Sequence, residues 1–535
     1  MSQIAERNST DTLRDEVARR RTFAIISHPD AGKTTLTEKL LLYSGAVELA
    51  GSVRGRKNQR HATSDWMEME QSRGISITST SLQFDYQGCR LNLLDTPGHQ
   101  DFSEDTYRTL MAVDSAIMVL DAAKGIEPQT KKLFDVCRMR NIPILTFINK
   151  LDQPGYYPLE LLDEIERVLG LEAAPMNWPI GDGVDFQGVY DLQHQQVLRF
   201  SRTEHGARRA PVEVSSIDDP KLAEVLGEGA ARQLREDVDL LSVAGTTFDH
   251  ERFLTGDVTP VFFGSALNNF GVETFLRALL ELAPPPGPRG STGGEVDIDA
   301  PFSGFIFKIQ ANMDPQHRDR IAFLRICSGR FEKDMAVNHQ RSGKQLRLTR
   351  PVRFFGRERE TIEEAFPGDV VGLINPGAFI IGDTISADGP VEFEAIPRFQ
   401  PEHFAAVRNV NVAKYKQFHK ALGQLEEEGA IQVLHPFGSH HTDPILAAVG
   451  ELQFEVVQAR MQSEYGVETA IDRLPYTHAR WIAGGDAVLP KITWPSNTVL
   501  RARDGADHIV ALFSSEWQVQ YCIENNPGVE FRTVG

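Results

Sequence analysis

Five short apolar runs punctuate the first half of the chain: Phe23–Ser27, Leu91–Asp95, Ala116–Asp121, Ile142–Asn149 and Val261–Ser265. Each is continuous rather than alternating, and helical spacing fills the stretches between them. That pattern predicts parallel strands buried on both faces of a doubly wound α/β sheet. Every run also ends at a polar cluster. Open α/β sheets bind ligands just beyond the carboxyl ends of their strands, so five such ends predict one crevice.

The pattern changes at Ala283-Pro284-Pro285-Pro286-Gly287-Pro288, which is followed by Gly290, Gly293 and Gly294. Prolines this dense cannot continue a helix or fill a central strand, and the stretch reads as an inter-domain linker. From Phe302 to Ala395, short β-prone pieces such as Gly304–Ile309 and Arg320–Ile326, broken by Gly and Pro, predict a small β-barrel. After Pro401 the expected order is strand Phe404–Val410, helix Tyr415–Glu428, strands Ala430–Leu434 and Ile445–Val449, helix Glu451–Tyr465 and strand Val467–Ile471. On the first helix Phe418, Leu422 and Leu425 share one face. This β-α-β-β-α-β order is the ferredoxin-like α+β arrangement.

The expected domains are a polar N-terminal segment 1–21, an α/β domain 22–283 with an inserted subdomain at about 153–255, a linker 284–300, a β-barrel 301–396 and an α+β domain 397–535. The roughly sixty residues after Arg473 carry no pattern that places them.

Composition narrows the class. The chain has 535 residues, 41% of them hydrophobic, enough for several buried cores. Its four cysteines are scattered and form no CxxC pair, which argues against a zinc site or a disulfide framework and fits a reducing cytoplasm. The N-terminus is polar through Arg21, unlike a signal peptide, and Asp114 and Asp121 interrupt the apolar stretch Leu110–Ala123. No membrane association is expected. A net charge of −18 argues against non-specific nucleic-acid binding, so any RNA partner has to be argued from motifs.

Three motifs stand on the predicted strand ends. Ser27-His28-Pro29-Asp30-Ala31-Gly32-Lys33-Thr34, continuing into Thr35, follows the first strand in the place of a phosphate-binding loop (P-loop), with Ser27 where that motif has its first glycine. Its backbone N–H groups and the following helix N-terminus would face the α and β phosphates, Lys33 would reach the β and γ phosphates, and the Thr34 hydroxyl would bind Mg²⁺. Asp95-Thr96-Pro97-Gly98 ends the second run, where Asp95 can hold Mg²⁺ through water and the Gly98 N–H can sense the γ-phosphate. Asn149-Lys150-Leu151-Asp152 ends the fourth. The Asp152 carboxylate can accept from N1–H and the 2-amino group of guanine, donors that adenine lacks. A fourth element, Gly264-Ser265-Ala266-Leu267, offers N–H groups to the guanine O6. Together they predict GTP as substrate, GDP as product and Mg²⁺ as cofactor.

These residues carry a resemblance. Asp95–His99 followed by Asp101-Phe102, with Arg73-Gly74-Ile75-Ser76-Ile77-Thr78 as a first switch, resembles the translational GTPases. There a threonine usually stands at the place of Ser76 and its hydroxyl binds Mg²⁺; serine keeps that hydroxyl. Asp65-Trp66-Met67-Glu68, and the 113 positions from Asp152 to Ser265, resemble the elongation factor G branch. Ser27–Ala31 and Gln310-Ala311-Asn312-Met313-Asp314-Pro315 with His317–Arg320 resemble the bacterial peptide chain release factor 3 family. Val449-Gly450-Glu451-Leu452-Gln453-Phe454 resembles a segment late in the third domain of both families, and the 81 residues after it leave no room for a translocase's two further domains.

The resemblance implies a monomeric, ribosome-dependent GTPase of translation termination that promotes departure of class I release factors, with His99 orienting the attacking water. Two alternatives remain open at this point: a translocase-like or rescue GTPase, and a nucleotide-gated binding module with negligible hydrolysis. The basic stretch Arg341, Lys344, Arg347, Arg350, Arg353, Arg357 and Arg359 is equally compatible with rRNA phosphate contacts and with a solvated strand face. His440-His441 lacks a spaced third ligand and reads as loop.

Overall fold

The computed structural model describes residues 12–46, 79–201, 212–311, 320–355, 358–374, 377–396, 399–438, 443–495 and 498–534. The first switch, including Ser76, and His440-His441 lie outside these residues.

The first unit is built on strands β1 (Arg20–Ser27), β2 (Thr80–Tyr86), β3 (Cys89–Asp95), β4 (Ser115–Asp121), β5 (Ile144–Asn149), β6 (Glu172–Pro175), β7–β10 (Asn177–Ile180, Gly188–Asp191, Gln196–Phe200, Val212–Ser216) and β11 (Val258–Phe263). The main sheet has the order β2-β3-β1-β4-β5-β11-β6. All its pairs are parallel except the antiparallel β2–β3. Strand residues alternate between two cores. Phe23, Ile25, Ile117 and Val119 face a cluster with Leu36, Leu40 and Phe275 from helices Lys33–Ser44 and Val272–Leu282. Ala24, Ile26, Ala116 and Met118 face the other side, with Leu110, Leu133 and Leu161 from helices Ser103–Leu110, Pro128–Met139 and Pro158–Leu169. This is the doubly wound arrangement that continuous apolar runs require. Strands β7–β10 form a separate four-stranded antiparallel sheet against helix Glu228–Ala244.

The proline-rich connection carries a two-stranded hairpin, Arg289–Ser291 with Gly294–Val296. The second unit is all antiparallel. Its longest strands, Ser303–Ala311 and Arg320–Ser328, pair along most of their length. Strand Val352–Phe355 links it to β2 through Phe355 and Leu82.

Polar contacts buried at the junction fix the two units together. Arg325 donates to both Asp114 oxygens at 2.8 and 2.7 Å and to the Gly368 carbonyl. Arg20 lies 3.0 Å from Asp369, which also accepts from Gln83 and Asn92. Charges this deep persist because each is both paired and hydrogen-bonded.

In the third unit the strands His403–Asn409, Gln432–Pro436, Ile445–Ala448 and Thr469–Arg473 and the helices Tyr415–Glu427 and Leu452–Tyr465 follow the ferredoxin-like order. Thr469–Arg473 and Ile445–Ala448 flank His403–Asn409, and Gln432–Pro436 lies beyond. The residues that sequence could not place continue this sheet past Gln432–Pro436, as Leu500–Arg503, Ile509–Phe513, His478–Ile482 and Phe531–Arg532. Helix Glu516–Asn525 packs against that extension, burying Val519 and Cys522.

Candidate nucleotide site

Because β1, β3, β4, β5 and β11 run parallel, their carboxyl ends open on one edge of the sheet. There Ser27–Asp30, Gly32–Thr35, Gly98, His99 and Lys150 surround a cavity of about 410 Å³. The loop after β1 turns on two left-handed residues, Asp30 (φ 66°) and Gly32 (φ 95°). A Cβ on Gly32 would stand 2.2 Å from Asn149 Nδ2, so space and backbone both demand glycine.

Asn149 holds three loops together. Its Nδ2 donates to the Ala31 carbonyl at 2.8 Å. Its Oδ1 accepts from Lys150 N–H at 2.8 Å and Ala266 N–H at 2.9 Å. The phosphate loop, the Asn149–Asp152 loop and the Gly264–Leu267 loop are thus fixed relative to one another by a single side chain. Lys150, left-handed at φ 70°, has its ammonium 2.8 Å from Asp121 at the end of β4. Burial pulls the Asp121 carboxyl up, yet Lys150 and the Ala123 N–H hold it below the usual range. Asp121 was missed from sequence, although it ends a strand in the same polar cluster.

At the phosphate end Lys33 is buried and donates to Asp95 Oδ1 at 2.9 Å and to the Thr96 carbonyl. Asp95 Oδ2 and Ser27 Oγ are buried and have no hydrogen-bond partner among the described residues. In the Asn149–Asp152 loop Asp152 Oδ1 is likewise buried and has no partner among the described residues. Buried polar atoms are rarely left unpaired, so these three, of which Ser27 lines the cavity, are candidates for partners from a ligand. Thr34 and Thr35, the first side chains after Lys33, are half-buried on the helix that the loop feeds. Leu151 is buried, its N–H bonded to the Gly264 carbonyl at 3.2 Å. Of the N–H groups expected at the base, Ser265 N–H donates to the Phe270 carbonyl and Ala266 N–H to Asn149, while Leu267 is exposed.

His28 is buried with Nε2 2.9 Å from Glu127, and burial pushes its pKa down, favouring the neutral ring. His99 is one-third exposed on the cavity rim. Its Nδ1 lies 3.2 Å from Asp101 Oδ1 and 3.3 Å from the Asp101 N–H. The hydrogen bond to the carboxylate raises the imidazole above its usual value against the opposing effect of burial. Pro97 and Thr96 are anchored behind the loop, through Thr106 Oγ1 to the Pro97 carbonyl and Thr96 Oγ1 to the Ile25 carbonyl. Gly98 lies beside Pro29, where a Cβ would stand at an ordinary contact distance of 3.7 Å from Pro29 Cα.

In the basic stretch, Arg341 pairs with Asp383 and Arg353 with Glu360, whereas Lys344 and Arg347 are exposed.

Residues 18–285 match the family model for the elongation factor Tu GTP binding domain, 301–388 that for elongation factor G domain 2, and 393–523 that for the class II release factor RF3 C-terminal domain. A solved structure from Thermus thermophilus shares the fold at TM-score 0.69 and 24% identity, covering 91% of this chain and 72% of that one. Fold, motif order and domain matches define a translational GTPase, an enzyme that hydrolyses GTP to GDP and phosphate. Peptide chain release factor 3 of Gloeobacter violaceus is 60% identical over 528 residues, covering 98% of this chain and 99% of that protein. That of Symbiobacterium thermophilum is 57% identical over 524 residues, with coverage of 98% and 99%. The chain belongs to the peptide chain release factor 3 family.

Proposed function

We propose that this chain acts in translation termination as a ribosome-dependent GTPase. It binds the ribosome after peptide release, promotes departure of class I release factors and leaves once GTP is hydrolysed. One observation carries the reading of the site. Two carboxylate oxygens without a partner among the described residues stand in loops that border the cavity: Asp95 Oδ2, whose other oxygen holds the cavity-lining Lys33, and Asp152 Oδ1, two residues after the cavity-lining Lys150. The near full-length match to release factor 3 relatives supports the cellular role.

Each residue then has a task. Asp152 accepts from guanine N1–H and the 2-amino group, and the Lys150 side chain covers the ring, positioned by Asp121. Leu267 supplies the N–H for O6, since its two neighbours are engaged. Lys33 exchanges its contacts with Asp95 and Thr96 for β and γ oxygens, while Gly98 N–H senses the γ-phosphate. Thr34, Asp95 through water, and Ser76 from the first switch would hold Mg²⁺; the free Asp95 oxygen fits that duty. When bound, the ion would supply positive charge against the negative charge that develops on the phosphates.

His99, anchored through Nδ1, turns Nε2 toward the attacking water. Water oxygen bonds to the γ-phosphorus, the bond to the β–γ bridging oxygen breaks, and the water proton ends on phosphate. One-third exposed, His99 orients water poorly by itself, and docking on rRNA turns it inward. The protein works as a cytoplasmic monomer at one ribosomal site. Among the described residues no helix is long and apolar enough to cross a membrane.

Single-turnover hydrolysis with and without ribosomes tests the assignment. His99→Ala should bind GTP normally and lose ribosome-stimulated turnover; retained turnover removes His99 from the mechanism.

A further inference from the structure

The motif Val449–Phe454 has no place in the nucleotide site, yet it meets the second switch. Asp101, two residues after His99, is buried and bridges two units of the chain. Its Oδ1 lies 3.2 Å from His99 Nδ1, and its Oδ2 accepts the Leu452 N–H at 2.7 Å. Leu452 opens the helix Leu452–Tyr465 of the third unit, so Asp101 satisfies one of that helix's free N-terminal donors.

The rest of the motif is shaped around this carboxylate. Gln453 Oε1 accepts from Val449 N–H at 2.8 Å and Gly450 N–H at 3.2 Å, which fixes the approach of the loop. A Cβ on Gly450 would stand 2.1 Å from Asp101 Cγ, so only glycine lets the carboxylate in. A second contact runs alongside: Arg108 donates to the Gly429 carbonyl at 3.2 Å and pairs with Glu104 at 2.5 Å. The chain from His99 to Arg108 is therefore strapped to the third unit at two points.

We infer that Asp101 is a positioning residue through which the third unit sets the orientation of His99, with Gly450 keeping the carboxylate's place open. One rigid carboxylate cannot keep both partners if the third unit shifts against the switch. Docking of that unit, which a ribosome can alter, thereby reaches the ring that orients water. The inference rests on the proposed role of His99.

Three variants test it under ribosome-stimulated steady-state turnover, with GTP affinity measured separately. Asp101→Asn keeps an oxygen to accept the Leu452 N–H and loses the charge that holds His99. Gly450→Ala dislodges Asp101 from the third unit while leaving the GTPase domain's own sequence intact. Both should lower kcat by ~10- to 100-fold, the scale of a small misplacement of a catalytic group. KM for ribosomes and the affinity for GTP should stay within about twofold, a split that general loss of folding would not produce. His99→Ala is the reference. If it is inactive while Asp101→Asn and Gly450→Ala turn over at the parent rate, the inference is overturned and the His99 assignment survives. If His99→Ala is fully active, the assignment itself fails.

Discussion

Asp152→Asn isolates base recognition. Asp152 Oδ1 is buried without a partner among the described residues, so its acceptor capacity is unused there and available to the proposed base. Guanine offers two donors to it, N1–H and the 2-amino group. A hydrogen bond to a charged group contributes about 1.5–3 kcal/mol, so the pair is worth about 3–6 kcal/mol. That corresponds to roughly 10²- to 10⁴-fold in Kd. Asparagine keeps the shape but turns one acceptor into an NH₂ donor, which faces the guanine amino group donor to donor. Xanthine carries an oxygen at that position and suits the new donor. Competition of GTP, xanthosine triphosphate and ATP against a fluorescent guanine nucleotide reads this directly. GTP should weaken by at least a hundredfold and xanthosine triphosphate should become the preferred ligand. GTP affinity within threefold of the parent, with no gain for xanthosine triphosphate, refutes the reasoning.

Further substitutions probe the frame of the site. Gly32→Ala places a methyl 2.2 Å from Asn149 Nδ2 in a left-handed backbone, and should abolish measurable GTP binding in equilibrium titration while the far-UV circular dichroism is kept. Lys308→Met removes the ammonium that donates to Ser79 Oγ at 2.8 Å and Asp105 at 3.3 Å, and should lower stability by about 1–3 kcal/mol in urea unfolding. Burial pulls the Asp105 carboxyl up, but Lys308 and the Ser79 N–H hold it below its usual value. Its contribution is therefore complete above about pH 4 and lost as pH falls through the folded value, so the acid-induced loss of stability should be smaller in Lys308→Met than in the parent.

The reach of the sequence follows from the range of each interaction. Strands β1, β3, β4, β5 and β11 were legible because burial on both faces leaves an unbroken apolar run. β6 was not: its four residues, Glu172–Pro175, offer two alanines and no large apolar side chain, and only neighbouring β11 makes them a strand. The nucleotide loops were legible because phosphate, metal and base chemistry fixes residue types at short spacing. Their assembly by Asn149 was only partly so, since its partners lie 118 and 117 positions away. Arg325 with Asp114, and Asp101 with Leu452, are separated by 211 and 351 positions and leave no local pattern. The ferredoxin-like order was read from alternating periods. The strands beyond Arg473 are short and divided by 3₁₀ turns, and they are held by pairing to Gln432–Pro436, which no local rule foretells.

The most direct measurement of the central claim follows a fluorescent class I release factor on ribosomes after peptide release. Adding this protein with GTP should accelerate the label's departure many-fold over ribosomes alone, and ATP in place of GTP should give no acceleration. A departure rate unchanged by the protein and GTP, on ribosomes that stimulate its hydrolysis, would contradict the account.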